Sequence, residues 1–270
     1  MFSSFMTNAW ISGSVVATLA GALGFFVVLR GASFAAHAIP NGAFAGAAGA
    51  NLLGVNPLFG LVTFALASAL GIGASSRHVR NDVATALSLV MMLALGAAFL
   101  TLTTEYEAGM NALLFGEILG VSTSELLPVV GLGVACLVAV ALLYRPLVFT
   151  SVSPTLAQIQ GVNTTAIETV FLVTLALATA LTVPVVGALL TFALMVGPPA
   201  AARLLSSRPI RAFALSIVLA LTTVWVSIAA SYTFNLPIGF FVGTVGAALF
   251  LAARVWSAGR ARRGVRNLLV

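Results

Sequence analysis

A chain of 270 residues that is 61% hydrophobic and only 7% charged, with a mean hydropathy of +1.15, has too little polar surface to face water and reads as a polytopic membrane protein. Its formal charge of +6 rests on twelve basic residues, every one of them arginine. Without lysine the chain can form neither the phosphate loop of a P-loop ATPase nor a Schiff base; its arginines, spread over five breaks rather than one face, exclude a nucleic-acid groove.

Residues 1–10 lack the basic region and cleavage site of a secretory signal, so the first span is expected to stay in the mature protein. Spans are predicted at 10–29, 33–54, 57–76, 84–103, 126–144, 165–182, 186–202, 212–231 and 238–255. The fold class is therefore all-α, a membrane helix bundle of about nine spans, with eight and ten as bounds: 111–121 is short enough for a re-entrant helix, and 183–186 leaves room only for a tight external turn. Residues 1–256 form the transmembrane domain in this reading and 257–270 a solvated basic tail. With the N-terminus outside, every arginine falls on the inside, Glu105, Glu107, Glu117 and Glu125 fall outside or near that boundary, and the C-terminus is cytoplasmic. Cys136, the single cysteine, lies in an apolar run and is expected to be a small core residue.

The second predicted span is the least lipid-like. It is rich in alanine and glycine, and Ser33, His37 and Asn41 recur at one turn each on a common helix face. Pro40 cannot donate to the Ala36 carbonyl and pushes it aside. Polar side chains at membrane depth are costly and mark a transport path by default, while interhelical hydrogen-bonding glue accounts for the same residues equally well. His78, between Arg77 and Arg80, reads as part of a solvated turn.

The break between Arg145 and Gly161 carries its own helix signals. Ser153 suits the N-cap, Pro154 the first helical position and Gly161 the residue past the last turn, which predicts a short helix over 155–160. Two turns are not stable alone in water, so neighbouring structure or a partner must hold them. Thr165 and Glu168 then form a capping box opening the next span, a structural use preferred here over a transport role for Glu168. Further on, Gly197-Pro198-Pro199 is expected to distort its helix ahead of the Arg203 anchor, either as a cytoplasmic gate or as a kink used for packing.

Four blocks, in this order, resemble the permease subunits of the zinc, manganese and iron class of ABC importers. They are Phe26-Val-Val-Leu-Arg30 with Ser33-Phe34, then Leu114-Phe-Gly-Glu-Ile-Leu-Gly-Val121, then Ser153-Pro-Thr-Leu-Ala-Gln-Ile-Gln-Gly-Val162, and finally Val186-Gly-Ala-Leu-Leu190 with Pro198 through Leu205. The resemblance implies a homodimeric or paired permease in a prokaryotic plasma membrane, two separate cytoplasmic ATPase subunits, and an extracytoplasmic solute-binding protein. The cargo it implies is a divalent metal, with no cofactor bound by the chain and no catalysis of its own. It assigns the segment at about 151–163 to ATPase coupling, through Ser153, Pro154, Leu156, Ala157, Gln158 and Gly161. The metal path falls on Ser33, His37 and Asn41, and the gate on Gly197, Pro198, Pro199 and Arg203. The chain departs from the family at the path, where an aspartate followed four residues later by a histidine is usual and His37 and Asn41 stand instead. An uncharged pair holds a divalent ion less strongly, which leaves open a metal chelate or another small solute as cargo. A secondary transporter is the reading from another class, disfavoured by the lack of a carboxylate clearly at mid-membrane depth; a scaffold without a transport path is a third.

Overall fold

Apolar segments in lipid must satisfy their own backbone, which restricts a chain like this one to helices. The computed structural model describes residues 4–75, 81–102, 114, 116, 118 and 122–268. Its helices are α1 (Ser4–Leu29), α2 (Ser33–Leu52), α3 (Pro57–Ser75), α4 (Asn81–Thr101), α5 (Thr123–Val152), the short α6 (Pro154–Ile159), α7 (Thr164–Val186), α8 (Ala188–Leu205), α9 (Pro209–Phe234) and α10 (Ile238–Leu268). All but α6 coincide with an expected span. Arg77, His78, Arg80, Glu105, Glu107 and Glu117 lie outside the described residues, as does most of 111–121.

α5 and α10 outrun their predicted spans the furthest. α5 continues past Arg145 to Val152 and α10 runs through the basic tail to Leu268. Hydropathy limits the stretch that lipid can cover; it does not by itself end a helix. Pro146 is absorbed inside α5, where the Thr150 hydroxyl donates to its carbonyl at 2.8 Å. By length and apolarity six helices among the described residues qualify as membrane spans, namely α1, α3, α5, α7, α9 and α10. α2 falls short because it is buried by protein rather than lipid: from Ala35 to Ala50 every residue is buried except His37.

α1 is the central post. Its aromatic end packs Phe26 against Tyr144 of α5 (5.8 Å between centroids) and Phe171 of α7 (6.4 Å), while Phe25 meets Phe213 of α9 at 5.6 Å. Ser216 of α9 donates to the Gly21 carbonyl at 2.6 Å, and Trp225 donates to Ser14 at 3.0 Å. α2 packs instead against α3 and α4 through small residues. A side chain at Gly46 would collide with the Gly60 carbonyl, and one at Gly60 with the Gly46 carbonyl, so these two backbones meet directly.

The chain segments that bear Arg30, Arg145 and Arg203 lie together at one end of the bundle. Arg30 donates to Thr150 at 3.3 Å, Arg203 donates to the Val28 carbonyl at 3.2 Å, and Arg145 lines a cavity with Ile210 of α9. The opposite end joins α1 to α5, where Asn8 donates to Thr123 at 3.2 Å. The α7–α8 turn is not exposed. It consists of Gly187, buried at φ 94° and ψ 153°, a backbone conformation essentially reserved for glycine, and Gly116 from the α4–α5 connection rests against the Val186–Gly187 backbone.

Candidate functional site

α2 positions the two polar residues of its face as the spacing predicts. Asn41 is 1% exposed, and its side-chain amide donates to the His37 carbonyl at 2.8 Å. That bond takes up the amide nitrogen and leaves the Asn41 Oδ1 and the His37 Nδ1 buried with no hydrogen-bond partner. The His37 ring lies 4.6 Å from the Phe192 ring of α8, so α2 and α8 meet at the histidine. Ser33 stands at the first turn of α2, half-buried, in the register expected of it. Two further hydroxyls are buried and unpaired, Ser68 of α3 and Thr179 of α7, and Ser68 lies against Gly42, the residue after Asn41. Neither stood out in the sequence, because a lone serine or threonine in a span normally bonds back to its own helix.

Among the described residues no group of three His, Cys, Asp or Glu side chains converges. The polar pair on α2 can therefore offer one imidazole nitrogen and one amide oxygen to a passing cation, supplemented by water or hydroxyls. Such a set suits transit and is too weak for a resident metal.

Below the pair lies a cavity of about 410 Å³ at the arginine end. Phe34 and Ala35 of α2 line it one turn before His37, together with Arg30, Thr150, Ser151, Pro154, Gln158 and Glu168. The Arg30 guanidinium lies 5.5 Å from the centre of the Phe171 ring. Burial lowers its pKa from the ordinary arginine value, and the Glu168 carboxylate opposes that shift.

The coupling segment has the predicted outline with one correction. Ser153 is the N-cap residue of α6 by position, but its side chain makes no capping bond; its carbonyl accepts the Ala157 N–H at 3.0 Å, as the backbone of any residue would. Gly161, at φ 77°, closes the helix in a Schellman arrangement, with Gly161 N–H donating to the Gln158 carbonyl at 3.0 Å and Val162 N–H to that of Ala157 at 2.9 Å. Ala157 is buried, whereas Leu156 (54% exposed) and Ile159 (76% exposed) face away from the bundle. The capping box is also corrected. Asn163 caps α7, its side-chain oxygen accepting the Ala166 N–H at 2.9 Å, so Thr165 is not the cap and Glu168 lies beyond the first turn.

α8 passes through Pro198 and Pro199 as one α-helix, and the chain interruption in this neighbourhood falls earlier, at Gly187. Pro199 cannot donate to the Met195 carbonyl. That freed carbonyl and the Pro199 ring both press against Gly24, where α1 has no side chain to obstruct them. Gly197 passes beside Gly246 of α10, and Arg203, exposed in the last turn, ties α8 to the end of α1.

With this architecture in place, the sequence matches the ABC 3 transport family over residues 2–257. The chain belongs to that family. It is 30% identical over 249 residues to the manganese import system permease protein ScaB of Streptococcus parasanguinis, covering 92% of this chain and 89% of that protein. The high-affinity zinc uptake system membrane protein ZnuB of Haemophilus influenzae is 28% identical over 204 residues, covering 74% and 78%. Among solved structures, PsaBC from Streptococcus pneumoniae in complex with Fab superposes with a TM-score of 0.84 at 27% identity, covering 93% of this chain and 91% of that one.

Proposed function

We propose that this ABC 3 family member is the membrane permease subunit of an ATP-driven importer for a divalent metal ion, manganese, zinc or iron. The observation that carries the proposal is the family match over residues 2–257, which includes all of the transport-bearing helices. Relatives named for manganese and zinc uptake supply the cargo class. In this reading the chain pairs with a second permease, takes cargo from an extracytoplasmic binding protein and draws energy from separate ATPase subunits at its arginine end. That end, with the C-terminus, is cytoplasmic by the retention of positive charge. Ser33, His37 and Asn41 line the path. The exposed Leu156, Gln158 and Ile159 on α6 receive the ATPase motion, seated through the buried Ala157 between Ser153-Pro154 and Gly161. The α8 segment from Gly197 through Pro198 and Pro199 to Arg203 relays that motion to α1 through its contacts at Gly24 and Val28.

The test is uptake of radiolabelled manganese and zinc by proteoliposomes holding the permease with its ATPase subunits, wild type against His37→Ala. ATP-dependent uptake that the substitution abolishes supports the assignment. The uncharged donor set on α2 favours one second reading, a metal chelate that brings its own ligands. Strong ATPase coupling without uptake of any bare metal selects it.

A further inference from the structure

The sequence assigned Glu168 to a capping box, and the structure gives that task to Asn163. Glu168 is instead half-buried on the wall of the 410 Å³ cavity, and it is the only carboxylate whose side chain is described. Thr150, Ser151, Thr164 and Gln158, each with a side-chain oxygen, line the same cavity. Phe34 and Ala35, one turn before His37 on α2, line this same cavity. Glu168 brings a carboxylate to that cavity, and hard divalent ions favour carboxylate and hydroxyl oxygens.

Arg30 shares the cavity and is not bonded to Glu168. Its guanidinium donates to Thr150 in a 3.3 Å bond and rests over Phe171. Both contacts are weak compared with a carboxylate partner, to which a guanidinium can bind through two parallel hydrogen bonds. The carboxylate therefore has two competing cations, one mobile and one tethered.

We infer that Glu168 is a transient ligand for the divalent cation as it leaves the permease, and that Arg30 expels the ion by taking its place on the carboxylate. The inference rests on the metal-import reading. Charge balances without any chemical step, since the pair Arg30 and Glu168 is neutral once the metal has gone. The exchange keeps the exit site from retaining cargo. It also makes rebinding from the cytoplasm unfavourable, because the ion must first break an ion pair.

The test uses the full transporter with its ATPase subunits, nucleotide-free, loaded with radiolabelled manganese and passed rapidly through a desalting column. Arg30→Gln should retain on the order of tenfold more manganese than wild type, the weight of one neighbouring charge at a partly screened distance. Arg30→Lys, which keeps the charge, should stay near wild type. The double variant Arg30→Gln with Glu168→Gln should lose the extra retention, and Glu168→Asp in the Arg30→Gln background should keep part of it. Folding is checked in each case by a symmetric size-exclusion peak and by stimulated ATPase activity. Arg30→Gln retaining no more than wild type, or the double variant retaining as much as Arg30→Gln alone, overturns the inference. Should Arg30→Gln not fold, Arg30→Met takes its place in the same comparison, and retention there no greater than wild type overturns the inference equally. Wild type that imports metal normally while these variants behave alike removes the exit site and leaves the import reading standing; wild type that moves no metal removes both.

Discussion

Replacing Asn41 with leucine separates a transport residue from packing glue. The side chain makes one hydrogen bond, 2.8 Å from Nδ2 to the His37 carbonyl, and strands one acceptor, its Oδ1. The bond contributes about 0.5–1.5 kcal/mol net, whereas an orphaned buried acceptor costs about 1–3 kcal/mol. Leucine removes both at similar volume, so the balance runs from about 0.5 kcal/mol against the variant to about 2.5 kcal/mol in its favour. For a chain of this length about 1 kcal/mol corresponds to roughly 2–4 °C in Tm. The expected result is a Tm unchanged or raised by a few degrees, read from the size-exclusion profile of heated detergent-solubilised protein, with manganese uptake lowered by about tenfold or more, as for other lost groups around metal sites. Asn41→Ala separates any overpacking by leucine from the hydrogen-bond effect. A marked fall in Tm for both variants, or full uptake in a stable one, would refute the reasoning and return Asn41 to the role of interhelical glue.

Gly46→Leu forces a side chain into the Gly60 carbonyl, where no flexible neighbour can yield; a loss of more than about 3 kcal/mol is expected, seen as loss of the monodisperse folded peak. Ile159→Glu, at a position 76% exposed, should leave the permease folded yet reduce co-purification with the ATPase subunits and ATP-driven uptake; unchanged uptake would count against α6 as the coupling helix. Asn163→Ala should destabilise by about 1 kcal/mol through loss of the α7 cap, while Thr165→Ala changes Tm little. The reverse ranking would restore the capping box.

The spans were legible because lipid imposes one rule on every apolar segment, and the polar breaks carry all the arginines. α2 was legible as an exception for the same reason: it is too small and too polar to meet lipid, and it is buried by α3, α4, α7 and α8. Other features depend on partners that sequence cannot rank. Asn163 and Thr165 are both able caps two residues apart, and only the position at which α7 starts decides between them. Two adjacent prolines free carbonyls of α8, and only the fold shows that Gly24 of α1 makes room for that of Met195. The unpaired Ser68 and Thr179 hydroxyls and the approach of Arg30 to the wall that carries Glu168 arise from tertiary neighbours that leave no local pattern.

The gathering of arginines at one end also determines how the protein meets a protease. Trypsin cleaves after lysine and arginine, and this chain has only the latter. If the arginine-bearing breaks share one side of the bilayer, as the sequence predicts, trypsin added outside sealed vesicles reaches cleavable bonds in only one of the two orientations. Digestion of one vesicle orientation and survival of the other then gives the sidedness of a reconstituted sample directly, with no engineered tag.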